Sequence, residues 1–405
     1  MKRDLRINKR DNIIFGLFSL WLIVDSVNGF LLRNDIPIPV SQLFKLFVAI
    51  LVVIRCYRHS NAQKLLLWIT LYLLLYSANI LWRGEDFASS MILLSKFLTT
   101  CIFFLYFSFV AISNQKFFKK EAFKVFKINL IVFVGNILLG LLGIGYHSYT
   151  DNDGIGYCGF FYAINEMSGV VAALFPWAFY FFIKNISIKK YYLASMVLFV
   201  VAFLLSTKSG MLATALSFVL ITYMYGGKAE RMLIAVGTVL LVIIAAIYIQ
   251  NLLNSEVAVI QRFNYFLEQR GVVDTITSGR LTYWEEEGRE FYDAGFVSQL
   301  FGLGGNRTVE MDPYDALLNC GIVGLGMVLY IYIFFMKRPI KKRIKTLEYS
   351  RVVWISNFLL IIISVIGGHI LFSSMAGLFI ALSNSTLYCR YEKNISNSQF
   401  ISFKR

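Results

Sequence analysis

Runs of about 15 to 25 apolar residues recur along almost the whole chain, separated by short polar links. A run of that length crosses the hydrocarbon layer as a helix, because a helix satisfies its own backbone polar groups in lipid. The runs show neither strict alternation nor a heptad seam, so a membrane-spanning helical bundle is the reading they allow. Composition agrees. Hydrophobic residues make up 58% of the 405 positions and charged residues 16%, against about a quarter charged in soluble domains. The expected fold class is an all-α polytopic membrane protein.

Spans are predicted at 13–32, 37–54, 65–82, 89–113, 128–146, 164–183, 191–206, 210–226, 232–250, 316–335, 352–368 and 370–387, about twelve transmembrane helices. As one helix, 191–226 would exceed about 50 Å at 1.5 Å per residue. It must turn, and Ser206-Thr207-Lys208-Ser209-Gly210 is the polar place to do so. Gly367-Gly368-His369 is the corresponding turn in 352–387. This divides the chain into an N-terminal bundle of about nine spans (1–250), a long loop (251–315) and the C-terminal helices with their tail (316–405).

Charge sets the orientation. Lys2, Arg3, Arg6, Lys9 and Arg10 precede the first span, and every other link is basic, notably Lys116–Lys127 and Lys337–Arg351. Basic links stay inside, so both termini are expected in the cytoplasm and the loop 251–315 outside. The net charge of +15 is thereby explained without nucleic acid. Within Lys116–Lys127, Phe118, Ala122, Val125 and Phe126 share one arc and the lysines the opposite one. That pattern predicts a helix lying on the inner leaflet. Five cysteines, an odd number with no C-x-x-C, indicate neither a disulfide framework nor a metal knuckle. The histidines His59, His147 and His369 lack ligand spacing, and Asp151-Asn152-Asp153 reads as a solvated turn. Neither a metal nor a cofactor is expected.

The long loop carries the polar chemistry. Arg280, Trp284 and Glu287 recur at i, i+4 and i+7, with Phe291 continuing the face, so a short amphipathic helix is predicted there. Inside the spans, Asp25, Lys45 and Lys96 are costly in lipid and point to an internal Asp–Lys pair. On the outward side, Lys208, Arg280 and Arg307 run against the positive-inside trend, and an anionic ligand would explain them.

Five segments taken together resemble the Wzy-type polysaccharide polymerases and their relatives the O-antigen ligases. They are Gly159–Glu166, Leu205–Gly210, Ser278-Gly279-Arg280 with Trp284, Leu300–Gly304, and Leu317-Leu318 leading to Gly321-Ile322-Val323-Gly324. The resemblance covers most of the chain from Gly159 onward. Two positions depart from the pattern. Lys208 stands where the family often has Arg, and the ligases' His before the post-loop helix is replaced by a region holding Asp312 and Asp315.

The resemblance implies a multi-pass protein of the bacterial plasma membrane. It would polymerise undecaprenyl-pyrophosphate-linked oligosaccharide repeats into a surface polysaccharide such as capsule, O-antigen or exopolysaccharide. Donor and acceptor would both be lipid-linked. A chain-length regulator and a flippase of the same pathway would be partners, alongside membrane lipids. In that chemistry Arg280 would hold the leaving diphosphate, because its fork matches two phosphate oxygens. Lys208 and Arg307 would assist. Asp312 or Asp315, and after them Glu287, are the candidate bases for the acceptor hydroxyl. Trp284 and Tyr314 would stack on sugars, and Asn165, Glu166 and His369 would add contacts. The alternatives are a lipid-linked oligosaccharide flippase, which would need charges along a central cavity, and a ligase-type transferase.

Overall fold

The computed structural model describes residues 9–57, 60–149, 155–237, 280–305, 307–341, 347–368 and 370–389. Helices α1 (Lys9–Ser19) and α2 (Trp21–Arg33) form a pair bent by 47°. Next come α3 (Val40–Cys56), α4 (Ser60–Arg83), α5 (Phe87–Ser113) and α6 (Gln115–Leu141). A two-stranded antiparallel hairpin, β1 (Tyr146–Tyr149) and β2 (Ile155–Gly159), is followed by α7 (Ile164–Asn185), α8 (Ile188–Leu205) and α9 (Lys208–Tyr225). After a further helical stretch at 228–237, the description resumes with α10 (Arg280–Asp293) and α11 (Phe296–Phe301). It ends with α12 (Asp312–Ile340), α13 (Ser350–Ile366) and α14 (Ser374–Ser385).

The protein is an all-α membrane protein. Six helices among the described residues are long and apolar enough to cross a bilayer, or seven if the bent pair counts as one span. Expected boundaries recur, but several expected spans are shorter helices: α3 and α13 have 17 residues and α14 has 12. The expected span 232–250 lies largely outside the described residues.

Helix α7 is the axis of the fold, buried without a break from Glu166 to Tyr180. Gly169, Ala172 and Ala173 let neighbouring backbones come close, the usual device where lipid removes the hydrophobic drive between helices. Around it pack α9, α13 and α14, and α14 also lies along α5. Gly377 on α14 meets Thr100 on α5 so closely that a Cβ would sit 2.2 Å from its hydroxyl oxygen. A second centre of packing is aromatic. Phe15, Phe18, Trp21, Phe103, Tyr106, Phe107 and Phe118, from α1, α2, α5 and α6, are each under 4% exposed and touch ring to ring.

That aromatic centre corrects one expectation. Residues 116–127 are not a separate helix on the leaflet. They are the first half of α6, which Asn114 caps by accepting from the Phe117 N–H at 2.9 Å and which then runs unbroken to Leu141. Phe118, Ala122, Val125 and Phe126 are buried in the protein. Phe118 meets Phe15 and Phe107, and Phe126 stacks on Trp177. The apolar arc was real; ring partners inside the bundle, not acyl chains, cover it.

Two joints place the polar residues. Within α12, Gly321 takes a φ of +70°, so the helix kinks there. A Cβ on Gly321 would lie 2.3 Å from the Leu300 carbonyl oxygen, and one on Gly302 would lie 2.2 Å from that of Asn319. The loop backbone therefore rests directly on the kink, tied by the Leu303 N–H to the Leu318 carbonyl at 2.7 Å. The second joint is the break between α13 and α14, where Gly368 has a φ of +60°.

Candidate functional site

The segment 280–311 is docked on one end of the bundle. Helix α10 turns Arg280, Trp284 and Phe291 inward, as the spacing predicts, while Tyr283, Glu285, Glu286 and Arg289 are exposed and Glu287, expected on the inner face, keeps its side chain 40% exposed. Phe291 joins Leu303, Val309, Met311 and Leu318 in a small apolar cluster that anchors the segment. Trp284 and Tyr314 border this cluster with ring centroids 4.5 Å apart at 50°. These two rings thus cover each other in part.

Arg307, Glu287 and Glu290 form a latch. The Arg307 guanidinium donates to the Gly304 carbonyl at 2.8 Å, to Glu85 at 3.1 Å and to Glu290 at 2.9 Å, with Glu287 3.7 Å away. Burial works against its charge, but Glu85 and Glu290 outweigh that and hold its pKa above the ordinary arginine value. Arg83 reaches the same Glu290 at 3.1 Å. Asn319 closes the latch by bonding the Arg307 N–H and carbonyl, at 3.1 and 2.5 Å. Arg307 ties the loop to the α4/α5 link and to α12.

Asp312 and Asp315 are structural in their placement. Asp312, fully buried at the start of α12, accepts from the Ile370 and Leu371 N–H groups at 3.0 and 2.8 Å and from the Ser364 hydroxyl. It fastens α12 to the α13/α14 break. Asp315, 3% exposed, accepts from the Val309 N–H at 2.6 Å. Both carboxylates are buried and take up backbone N–H groups that the turns leave over, which suits a clamp.

Arg280 stands elsewhere. Its side chain is 15% exposed; one terminal nitrogen donates to the Ile366 carbonyl at 2.8 Å and the other to Glu310 Oε2, also at 2.8 Å. Glu310 Oε1 accepts from Asn165 Nδ2, at the start of α7, at 3.0 Å. The Glu310 side chain remains 38% exposed. Its backbone is left-handed, with a φ of +59°, and it presses on Gly368, where a Cβ would fall 2.2 Å from the Glu310 carbonyl. Gly367 in the same break lies against Ser209, a Cβ there sitting 3.6 Å from that of the serine. The turn carrying Lys208, which is itself exposed, thus adjoins the break that Arg280 grips. Left-handed Ser206 makes that turn, and hydroxyls link Ser209, Ser168 and Thr207.

Deeper in the bundle the break organises two ion pairs. Glu166 accepts from Lys96 at 3.0 Å and from the Ser373 hydroxyl at 2.7 Å. Lys45 donates to Asp25 at 2.6 Å and to the Ser374 hydroxyl at 3.0 Å, and Ser41 donates to the same Asp25 oxygen. The internal Asp–Lys pair expected from the sequence is therefore Asp25–Lys45, while Lys96 takes Glu166.

Of the sequence candidates, Arg280 and Asn165 meet at one point, the Lys208 turn lies beside it, and Glu166 sits one position along α7. Trp284, Tyr314, Glu287 and Arg307 belong to the docked segment. His369 lies outside the described residues, as do Asp151, Asn152 and Asp153. Glu310 was missed. An isolated acid between Val309 and Met311 carries no spacing signal, and only the fold brings it to Arg280. Among the described residues no three His, Cys, Asp or Glu side chains gather to hold a metal ion. No protein-family model matches the chain, and no curated protein matches it.

Proposed function

We propose that this chain is a bacterial plasma-membrane glycosyltransferase. It polymerises undecaprenyl-pyrophosphate-linked oligosaccharide repeats into a surface polysaccharide, with the segment 251–315 on the external face and both termini in the cytoplasm. The observation that carries the reading is the meeting of Arg280 with Asn165 and Glu310 at the α13/α14 break, beside the Lys208 turn. A permanently charged fork held at a bundle end, with a hydroxyl-rich turn next to it, suits a lipid diphosphate whose tail stays in the bilayer. The diphosphate is a good leaving group, so cations serve it better than a general acid. The reaction proposed needs neither metal nor cofactor. A chain-length regulator and a flippase of the same pathway are the expected partners.

Arg280→Ala should abolish polymer in the native host while the protein level stays normal. Arg280→Lys, which keeps charge but loses the fork, should leave a shortened or weak product ladder. Wild-type chain lengths in Arg280→Ala would remove the residue from the reaction.

A transporter of the same lipid-linked oligosaccharides is the second reading. What favours it is the buried pair Asp25–Lys45 and the half-buried pair Lys96–Glu166 at the N-terminus of the short helix α14, since broken helices with internal charges suit alternating access. A strain lacking the chain separates the two. Single repeats accumulating on the outer face support the polymerase, and accumulation on the inner face supports the transporter.

A further inference from the structure

Building on the polymerase reading, we infer that Glu310 is the proton acceptor of the transfer. Three observations single it out among the acids near Arg280. Its carboxylate is held from two separate elements, Oε2 by Arg280 of α10 and Oε1 by Asn165 of α7, yet its side chain stays 38% exposed. Asp312 and Asp315 are 0% and 3% exposed; the oxygens of Asp312 accept from the Ile370 and Leu371 N–H groups, and Asp315 Oδ1 accepts from the Val309 N–H. Glu166 is 12% exposed and bound by Lys96 and Ser373. Second, Glu310 is held at a φ of +59°, a conformation that side chains with a Cβ rarely adopt and that clusters at functional sites. Third, its backbone lies directly against Gly368 with no room for a Cβ there, which sets its carboxylate at the α13/α14 break beside Arg280.

The acceptor hydroxyl gives its proton to Glu310 while its oxygen bonds the anomeric carbon of the donor. The bond from that carbon to the phosphate oxygen breaks, and the electron pair leaves with the lipid diphosphate, facing Arg280. One guanidinium thus serves both partners in turn. In the resting protein it holds Glu310, and an arriving diphosphate competes for the same nitrogen. A carboxylate relieved of its cation is the stronger base, so donor binding readies Glu310 for the acceptor. This order keeps the base engaged until there is a leaving group to displace.

The test uses the full chain in proteoliposomes. Its substrate is the lipid-diphosphate-linked repeats extracted from a host lacking the chain, and undecaprenyl diphosphate is the binding probe. Glu310→Gln should lower turnover about 100-fold or more, the range of a lost general base, while undecaprenyl diphosphate binds at least as tightly as to wild type, its competitor for Arg280 being gone. Glu310→Gly adopts the left-handed backbone without strain and should be equally inactive, so a folding failure in the glutamine variant leaves the question decidable. Glu310→Asp, which keeps a carboxylate, should recover part of the rate. Turnover of Glu310→Gln or Glu310→Gly within about threefold of wild type, with Arg280→Ala inactive, would overturn this inference and leave the polymerase reading standing. Loss of diphosphate binding together with turnover in both variants would also overturn it, making Glu310 a positioning residue. A wild-type chain that binds the repeats without joining them would end the polymerase reading, and this inference with it.

Discussion

At the scale of single residues, the arginine was visible in the sequence and the acids were not. An arginine in a segment placed opposite the basic links asks for an anion, and Arg280 does sit at a convergence of three elements. Asp312 and Asp315 stand in the sequence as candidate bases in a polar loop, where Asp is at home. Their oxygens instead collect backbone donors from residues up to 59 positions away, which no spacing reveals. Asp312→Ala should therefore unfold the protein early. With each orphaned buried donor costing about 1–3 kcal/mol, the loss should be several kcal/mol, read as a lowered midpoint of thermal unfolding in micelles. Normal stability with abolished activity in that variant would return Asp312 to the chemistry. The same logic hides Glu310, whose partners lie 30 and 145 positions away.

At the scale of elements, apolar runs announce helices, and small polar residues announce joints. Ser206–Gly210 and Gly367-Gly368 were legible for that reason, because a span cannot exceed the bilayer without turning. The kink at Gly321 was only half legible. The sequence shows a glycine-rich stretch, but it cannot show that the Leu300 carbonyl lies where a Cβ would be. Gly321→Ala should lower stability by about 1–3 kcal/mol for the forced backbone alone, with further loss from the clash. Gly326→Ala, with open space around it, is the control and should be neutral or slightly stabilising by helix propensity. Equal midpoints for the two variants would contradict the packing described. The first half of α6 shows the opposite limit. Amphipathicity fixes which face is apolar, but it does not say whether lipid or protein covers it.

At the scale of the whole molecule, the helical membrane class follows from composition and run length, and the six long apolar helices agree with it. The expected twelve spans include several helices of 17 residues or fewer, whose crossing depends on tilt and neighbours that hydropathy does not see. The proposed polymerisation requires Arg280 and Glu310 to face the external leaflet. Glu286 is exposed on the same helix as Arg280, and the five native cysteines are buried or half-buried. The direct measurement is labelling of Glu286→Cys with a membrane-impermeant thiol reagent, using the unsubstituted protein as the blank. Labelling in intact spheroplasts is the predicted result; labelling confined to inverted vesicles would contradict the account.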